Sequence, residues 1–194
     1  DSQILGISTF PYSLKDFFLE GTQQVSASWI TLENLSFPYC ISINSSYIYE
    51  QSTDERINQN DAAITLAHEL GHYLGLRHVF SEGGTTSMCT DTDYCKDTPS
   101  YNRSEYEQWL NNLDKQNKYQ LKDLAKRYSC EKGEYEAHNI MDYAYCFYNE
   151  ITLEQRKRIR HILNYSPLIP GPKESRIDTR GVQGRLNLPI CIMK

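Results

Sequence analysis

The segment from Asp61 to His78 limits the fold more than any other stretch of the chain. Ala63, Ala67, Leu70 and Leu74 recur at intervals of three or four, the period of an amphipathic helix. Asn60 or Asp61 supplies a cap for its start and Gly75 a stop. Inside it lies HELGHYLGLRH, residues 68–78, with three of the chain's 5 histidines. On a helix turning about 100° per residue, His68 and His72 stand about 40° apart around the axis and about 6 Å apart along it. Both imidazoles then reach one point. The leucine stripe is expected to enter the core while the histidines face a cleft on the other side. His78 would miss that point on a continued helix. Gly75 accepts positive φ without steric cost, so the chain can turn back there and bring His78 in.

Three imidazoles around one point are a donor set for a catalytic zinc, which takes three protein ligands and keeps a fourth position open. Glu69 lies about 100° around the axis from His68, too far to share that point but close enough to reach a water there. A carboxylate so placed acts as a general base and later passes the proton to a leaving amine. HExxH alone recurs by chance; with Gly75 and His78 also required, the pattern is far more specific. His138 and His161 do not fit the spacing and read as structural or surface residues.

At 194 residues, the chain is long enough for one domain with two lobes about a cleft. We read residues 1–78 as an N-terminal lobe ending in the zinc helix and 79–194 as a C-terminal lobe. A net charge of −5 without a basic run argues against nucleic acid as a partner. No apolar stretch approaches the roughly 20 residues that cross a bilayer. The start, Asp1-Ser2-Gln3, lacks both Met and a signal-peptide core, so a processed or trimmed chain is expected. Six cysteines without a CxxC pair favour disulfides and hence an oxidising compartment, with connectivity open.

Residues 4–10, 25–32 and 40–49 are runs rich in β-branched and aromatic side chains and read as strands; 11–21 read as a turn or a short helical piece. Residues 79–103 are loop-like. Residues 104–128 read as helical, divided at 117–120, with Trp109, Leu110, Leu113, Leu121, Leu124 and Ala125 expected inside. A helix is expected over 152–164, opened by a Thr152–Gln155 capping box, and the Pro- and Gly-rich tail after Tyr165 is expected on the surface. The fold class is therefore α+β.

HELGHYLGLRH fits HExxHxxGxxH, and with HNIMDY (138–143) downstream the chain resembles the metzincin metalloproteases. HELGHYLGLRHVF, CTDTDYCKDTP and NIMDY followed by Cys146 give a finer resemblance to the pappalysin-like branch, which includes bacterial secreted and lipoprotein proteases. The resemblance implies a metzincin-like zincin: a β-rich N-terminal lobe, a zinc-binding active-site helix and a mostly helical or irregular C-terminal lobe around a cleft. It implies one zinc on His68, His72 and His78, Glu69 as general base, Met141 as an apolar base beneath the histidines, and Tyr143 as an aid to the oxyanion. It also makes Asp91, Asp93, Asp97 and Thr98 candidates for calcium, against the alternative of a solvated acidic loop with Asx-turns. The disulfide pairs it suggests are Cys89–Cys130 and Cys95–Cys146, leaving Cys40–Cys191.

The implied activity is that of a secreted, periplasmic or cell-surface endopeptidase, monomeric, and lipid-anchored if an anchor precedes Asp1. Its protein or peptide substrate would lie extended along an edge strand near residues 41–49. A zinc-bearing module without proteolysis, or a latent enzyme, is the alternative; the presence of Glu69 argues against the module, since a purely structural site needs no base. Two features depart from the family pattern. No long helix precedes the zinc helix, unless 10–21 replaces it, and residues 101–130 are more helical than that branch requires.

Overall fold

The computed structural model describes residues 4–31, 33–35, 39–47, 61–81, 93–116, 119–129, 131–143 and 145–169. Its elements follow the chain as β1 (Gly6–Ser8), β2 (Tyr12–Leu14), β3 (Gln23–Val25), β4 (Ile41–Ile43), α1 (Ala62–Tyr73), β5 (Phe80–Ser81), β6 (Tyr101–Asn102), α2 (Arg103–Gln116), α3 (Leu121–Leu124), β7 (Lys126–Ser129), β8 (Gly133–Glu136) and α4 (Leu153–Tyr165). The α+β class holds.

Three small sheets carry the strands. β1 and β4 form an antiparallel ribbon with Gly6 opposite Ile43, while β2 and β3 pair in parallel. The third sheet runs β5-β6-β7-β8, and only its first pair is parallel. Strand formation is thinner than β-propensity suggests. Of the described residues 25–31 only Val25 is in a strand, and a 3₁₀ turn follows at Ala27–Trp29. The 40–49 run gives β4 and then a 3₁₀ turn at Ser45–Tyr47; residues 48–49 lie outside the described ones.

α1 starts where the side-chain chemistry places it. The Asp61 carboxylate accepts from the Ala63 and Ile64 amides, at 2.7 and 3.4 Å. The expected stripe is only partly inside: Leu74 packs against the core and Ala67 is half-buried, but Ala63 is exposed and Leu70 is 44% exposed, whereas Thr65, His68, Glu69 and Gly71 are buried. Two neighbours impose this. Gly6 of β1 lies so close that a Cβ there would stand 2.8 Å from Glu69 Cγ, and Gly71 packs directly on the Met141 sulfur. The chemistry-bearing side is thus the enclosed one.

Residues 104–128 divide as expected into two helices, but 126–129 form β7 instead, paired with β8. Trp109 is 36% exposed rather than buried, while Leu124 and Ala125 are inside. α4 carries the expected capping box, Gln155 N–H to Thr152 Oγ1 at 3.3 Å and Thr152 N–H to Gln155 Oε1 at 3.0 Å. The start of the tail is not on the surface. Leu168 and Ile169 join Val25, Ile30, Tyr39 and Ile162 in one core, so residues on both sides of α1 in the sequence pack together. The residues beyond 169 lie outside the described ones.

Candidate active site

Gly75 does end the helix and turn the chain. Its φ is +87°, and its amide and that of Leu76 return to the His72 and Gly71 carbonyls at 2.9 Å each. Space demands glycine as well, since a Cβ would stand 2.7 Å from Ile162 Cγ1 of α4. The same helix sends Arg158, a buried guanidinium, to the Gly75 carbonyl, at 3.3 Å from Nε and 3.1 Å from Nη2.

The turn brings the third histidine in. His78 Nε2 lies 3.2 Å from His68 Nε2 and 3.0 Å from His72 Nε2. The Nδ1 atoms of His68 and His72 sit 2.7 Å from the Ile140 carbonyl and 2.8 Å from the Leu76 carbonyl. Each Nδ1 donates there, so in the neutral ring the Nε2 presents a lone pair. At least one Nε2 contact then sets lone pair against lone pair, which a cation at their centre would relieve. Burial first, then the neighbouring imidazoles, pushes His68 down to about 3. Burial, then His72 and the Arg103 and Arg77 guanidinia, does the same to His78. Neutral imidazoles turned inward, fixed by carbonyls behind them, fit a metal ion of the zinc kind.

The Met141 segment closes the site from below. Met141 is fully buried with Leu76 and Val79. Asn139 holds the turn: its Oδ1 accepts from the Met141 amide and from Gln155 Nε2, both at 3.0 Å. Glu69 is buried, and loss of water raises its carboxyl to about 7. It borders a cavity of about 380 Å³ together with His68, Tyr143 and residues Ile4 to Gly6. His72 and His78 border a second, more open hollow of about 960 Å³ with Phe10, Tyr12, Arg77 and Tyr94. The histidines therefore stand between two hollows. Among the described residues, these three are the group of His, Cys, Asp and Glu able to hold a metal ion.

Tyr143 stands beside the histidines, its ring 4.4 Å from His78 and 5.5 Å from His68 between centroids, with the Arg103 guanidinium 4.7 Å away. Its backbone is gripped on both sides by a pair the sequence did not reveal. Asp142 Oδ1 accepts from the Tyr143 amide at 2.7 Å, and Arg127 Nη2 donates to the Tyr143 carbonyl at 3.1 Å. Arg127 Nε and Asp142 Oδ2 face each other at 3.5 Å with both side chains buried. Position next to Met141 could have flagged Asp142; nothing in the sequence distinguishes Arg127 from other surface-type arginines.

The described calcium candidates are not all drawn to one point. Asp93 accepts the Thr98 hydroxyl at 2.9 Å and the Cys95 amide at 3.0 Å. Asp97 points elsewhere and receives the Glu154 amide at the start of α4, 2.9 Å away. Asp91 lies outside the described residues. The disulfide expectation is corrected where it can be read: Cys95 and Cys146 are free thiols, so Cys95–Cys146 does not form; Cys40 is also free, and its suggested partner Cys191 lies outside the described residues. Cys95 and Cys146 instead donate to the carbonyls of Asp93 and Asn139, at 3.6 and 3.3 Å. Cys89 and Cys130 lie outside the described residues.

A helix stopped by glycine, three imidazoles converging at its end and a buried methionine turn beneath them define the metzincin class of metal centre. The sequence profile of the Peptidase_M43 family, described as pregnancy-associated plasma protein-A, matches residues 29–164, and the chain belongs to that family. Extracellular metalloproteases of Arthroderma benhamiae and Trichophyton verrucosum are each 37% identical over 108 residues, 54% of this chain and 32% of theirs. That of Arthroderma otae is also 37% identical over 108 residues, 33% of its length. The chain thus spans about a third of the curated relatives it matches. Among solved structures, Tannerella forsythia mature mirolysin in complex with a cleaved peptide matches with a TM-score of 0.45 and 21% identity, over 84% of this chain and 48% of that one.

Proposed function

We propose that the chain is the catalytic domain of a zinc-dependent endopeptidase, with residues 1–78 and 79–194 as the two sides of its cleft. The observation that carries this is the approach of three Nε2 atoms to within 3.0–3.2 Å while the Nδ1 atoms of His68 and His72 are committed to carbonyls. Zinc held by His68, His72 and His78 would supply a Lewis acid to a peptide carbonyl and to water. Glu69 takes the proton of the attacking water on its carboxylate and returns it to the departing amine; a carboxyl raised to about 7 suits both transfers near neutral pH. Tyr143 offers its phenol to the carbonyl oxygen as charge builds there.

The substrate backbone runs along β1, not along residues 41–49. Ile4, Leu5 and Gly6 border the Glu69 cavity, β4 does not, and among the described residues no strand pairs with the outer edge of β1. The relatives named extracellular metalloproteases support secretion, and no helix among the described residues is long and apolar enough to cross a membrane. Calcium has no comparable support, since Asp93 and Asp97 are engaged by protein donors. We take the working unit to be a monomer acting on protein or peptide.

The deciding experiment incubates zinc-loaded protein with unfolded casein, with and without a chelator, beside Glu69→Ala. Cleavage that stops with chelator and falls about 10²–10⁴-fold in the variant, with zinc content unchanged, is expected. Undiminished cleavage by Glu69→Ala would remove the proposed base, and no cleavage by zinc-bound wild type would leave a binding module or a latent form.

A further inference from the structure

α2, the helix that departs from the family pattern, forms a wall of the cavity beside Glu69 through Tyr106 and Leu110. Tyr101 and Tyr148 add two further rings, and Ile64 and Ile4 add aliphatic surface. At about 380 Å³ the space exceeds any natural side chain.

Among the described residues, the wall lacks free charge. Arg103 and Glu107 pair with each other at 2.6 Å on one face of α2. The Asp142 carboxylate faces Arg127, and its side chain is only 1% exposed. The hydroxyls of Tyr101 and Tyr106 are spent on Asp142 and on the Leu124 carbonyl, at 2.5 and 2.6 Å. Glu69 is assigned to proton transfer in the reading above. A charged substrate side chain entering here would shed water and find no unpaired opposite charge among the described residues. An aromatic one would bury its area against rings that offer edges and faces.

Resting on the peptidase reading, we propose that α2 sets cleavage specificity, with Tyr106 and Leu110 selecting a bulky aromatic side chain next to the scissile bond. The test uses peptides identical except for one residue bordering the cleaved bond, Phe, Leu, Ala, Arg or Asp, with kcat/KM measured on zinc-loaded protein. Phe should exceed Ala, Arg and Asp by about 10–100-fold, with Leu between. Leu110→Trp should lower the Phe-to-Ala ratio about tenfold by filling the space, and Leu110→Asp should raise the Arg-to-Phe ratio about tenfold by adding an unpaired carboxylate. Loss of folded protein lowers all rates together and moves neither ratio. In parallel, binding of the same peptides to Glu69→Gln protein is read by fluorescence anisotropy, without any turnover. If wild type cleaves no peptide, the peptidase reading falls, and the binding ratio decides the cavity: Phe held about tenfold tighter than Ala supports it, equal binding overturns it. Fastest cleavage beside Arg or Asp, or ratios that ignore both Leu110 variants, also overturns it.

Discussion

Two side-chain-sized observations set the chemistry. Gly75 is irreplaceable on two separate grounds, a φ of +87° and the 2.7 Å that a Cβ would leave to Ile162. Gly75→Ala should cost about 1–3 kcal/mol of stability by strain alone. It should also weaken zinc binding, because His78 rides on that turn; urea denaturation and zinc titration check the two effects separately. The buried thiols behave in the opposite sense from disulfides. Burial pushes both Cys95 and Cys146 up to about 12, so at pH 8 each is almost wholly the unreactive thiol. In native protein both should resist iodoacetamide, and after unfolding in denaturant without reductant both should alkylate, as read by mass spectrometry. Alkylation that requires a reductant would mean they are bonded after all.

Among the elements, α1 was legible because its motif, cap and stop are local: Asp61 caps it, Gly75 ends it, and the spacing of His68 and His72 needs no partner to be understood. Which face it buries was not legible. Hydrophobicity favoured the leucines, whereas the β1 ribbon and the Met141 turn enclose the histidine face instead. β7 was missed for a related reason: its residues pair with β8 across a turn, and pairing outweighs the helical neighbours before them. Which strand borders the Glu69 cavity was not legible either, because both 4–10 and 40–49 look like strands, and only the packing of Gly6 on Glu69 separates them. In the Arg127–Asp142 pair, Arg127 had no sequence signal, since an arginine reveals its burial only in three dimensions. Linking β7 to the Met141 turn, the two should show the behaviour of a buried ion pair. Arg127→Met alone should destabilise by about 3–5 kcal/mol, because it strands the Asp142 carboxylate. The double variant Arg127→Met with Asp142→Asn should lose less than the two single losses added together, and denaturation midpoints test that coupling.

For the whole molecule, the histidine triad joins pieces that are distant in the chain: α1, the turn after Gly75, and the Met141 segment through the Ile140 carbonyl on His68. Without a cation, the three imidazoles face one another with nitrogen lone pairs opposed. With one, α1 and the turn after Gly75 are tied at a single point. A ligand bound by the folded chain and not by the unfolded one stabilises by about 2.7 kcal/mol at a hundredfold excess over Kd. For a domain of this size each kcal/mol moves Tm by about 2–4 °C. Chelation should therefore lower Tm by about 5–10 °C, and one equivalent of zinc should restore it. His78→Ala should abolish that gain while leaving α1 intact, since His78 stands outside the helix and its removal breaks no helical hydrogen bond. Scanning calorimetry with and without chelator, beside the variant, measures all three values. A chelated protein that melts at the same temperature as the zinc-loaded one would mean that the imidazoles are not joined through a metal, and the proposed chemistry would have no centre.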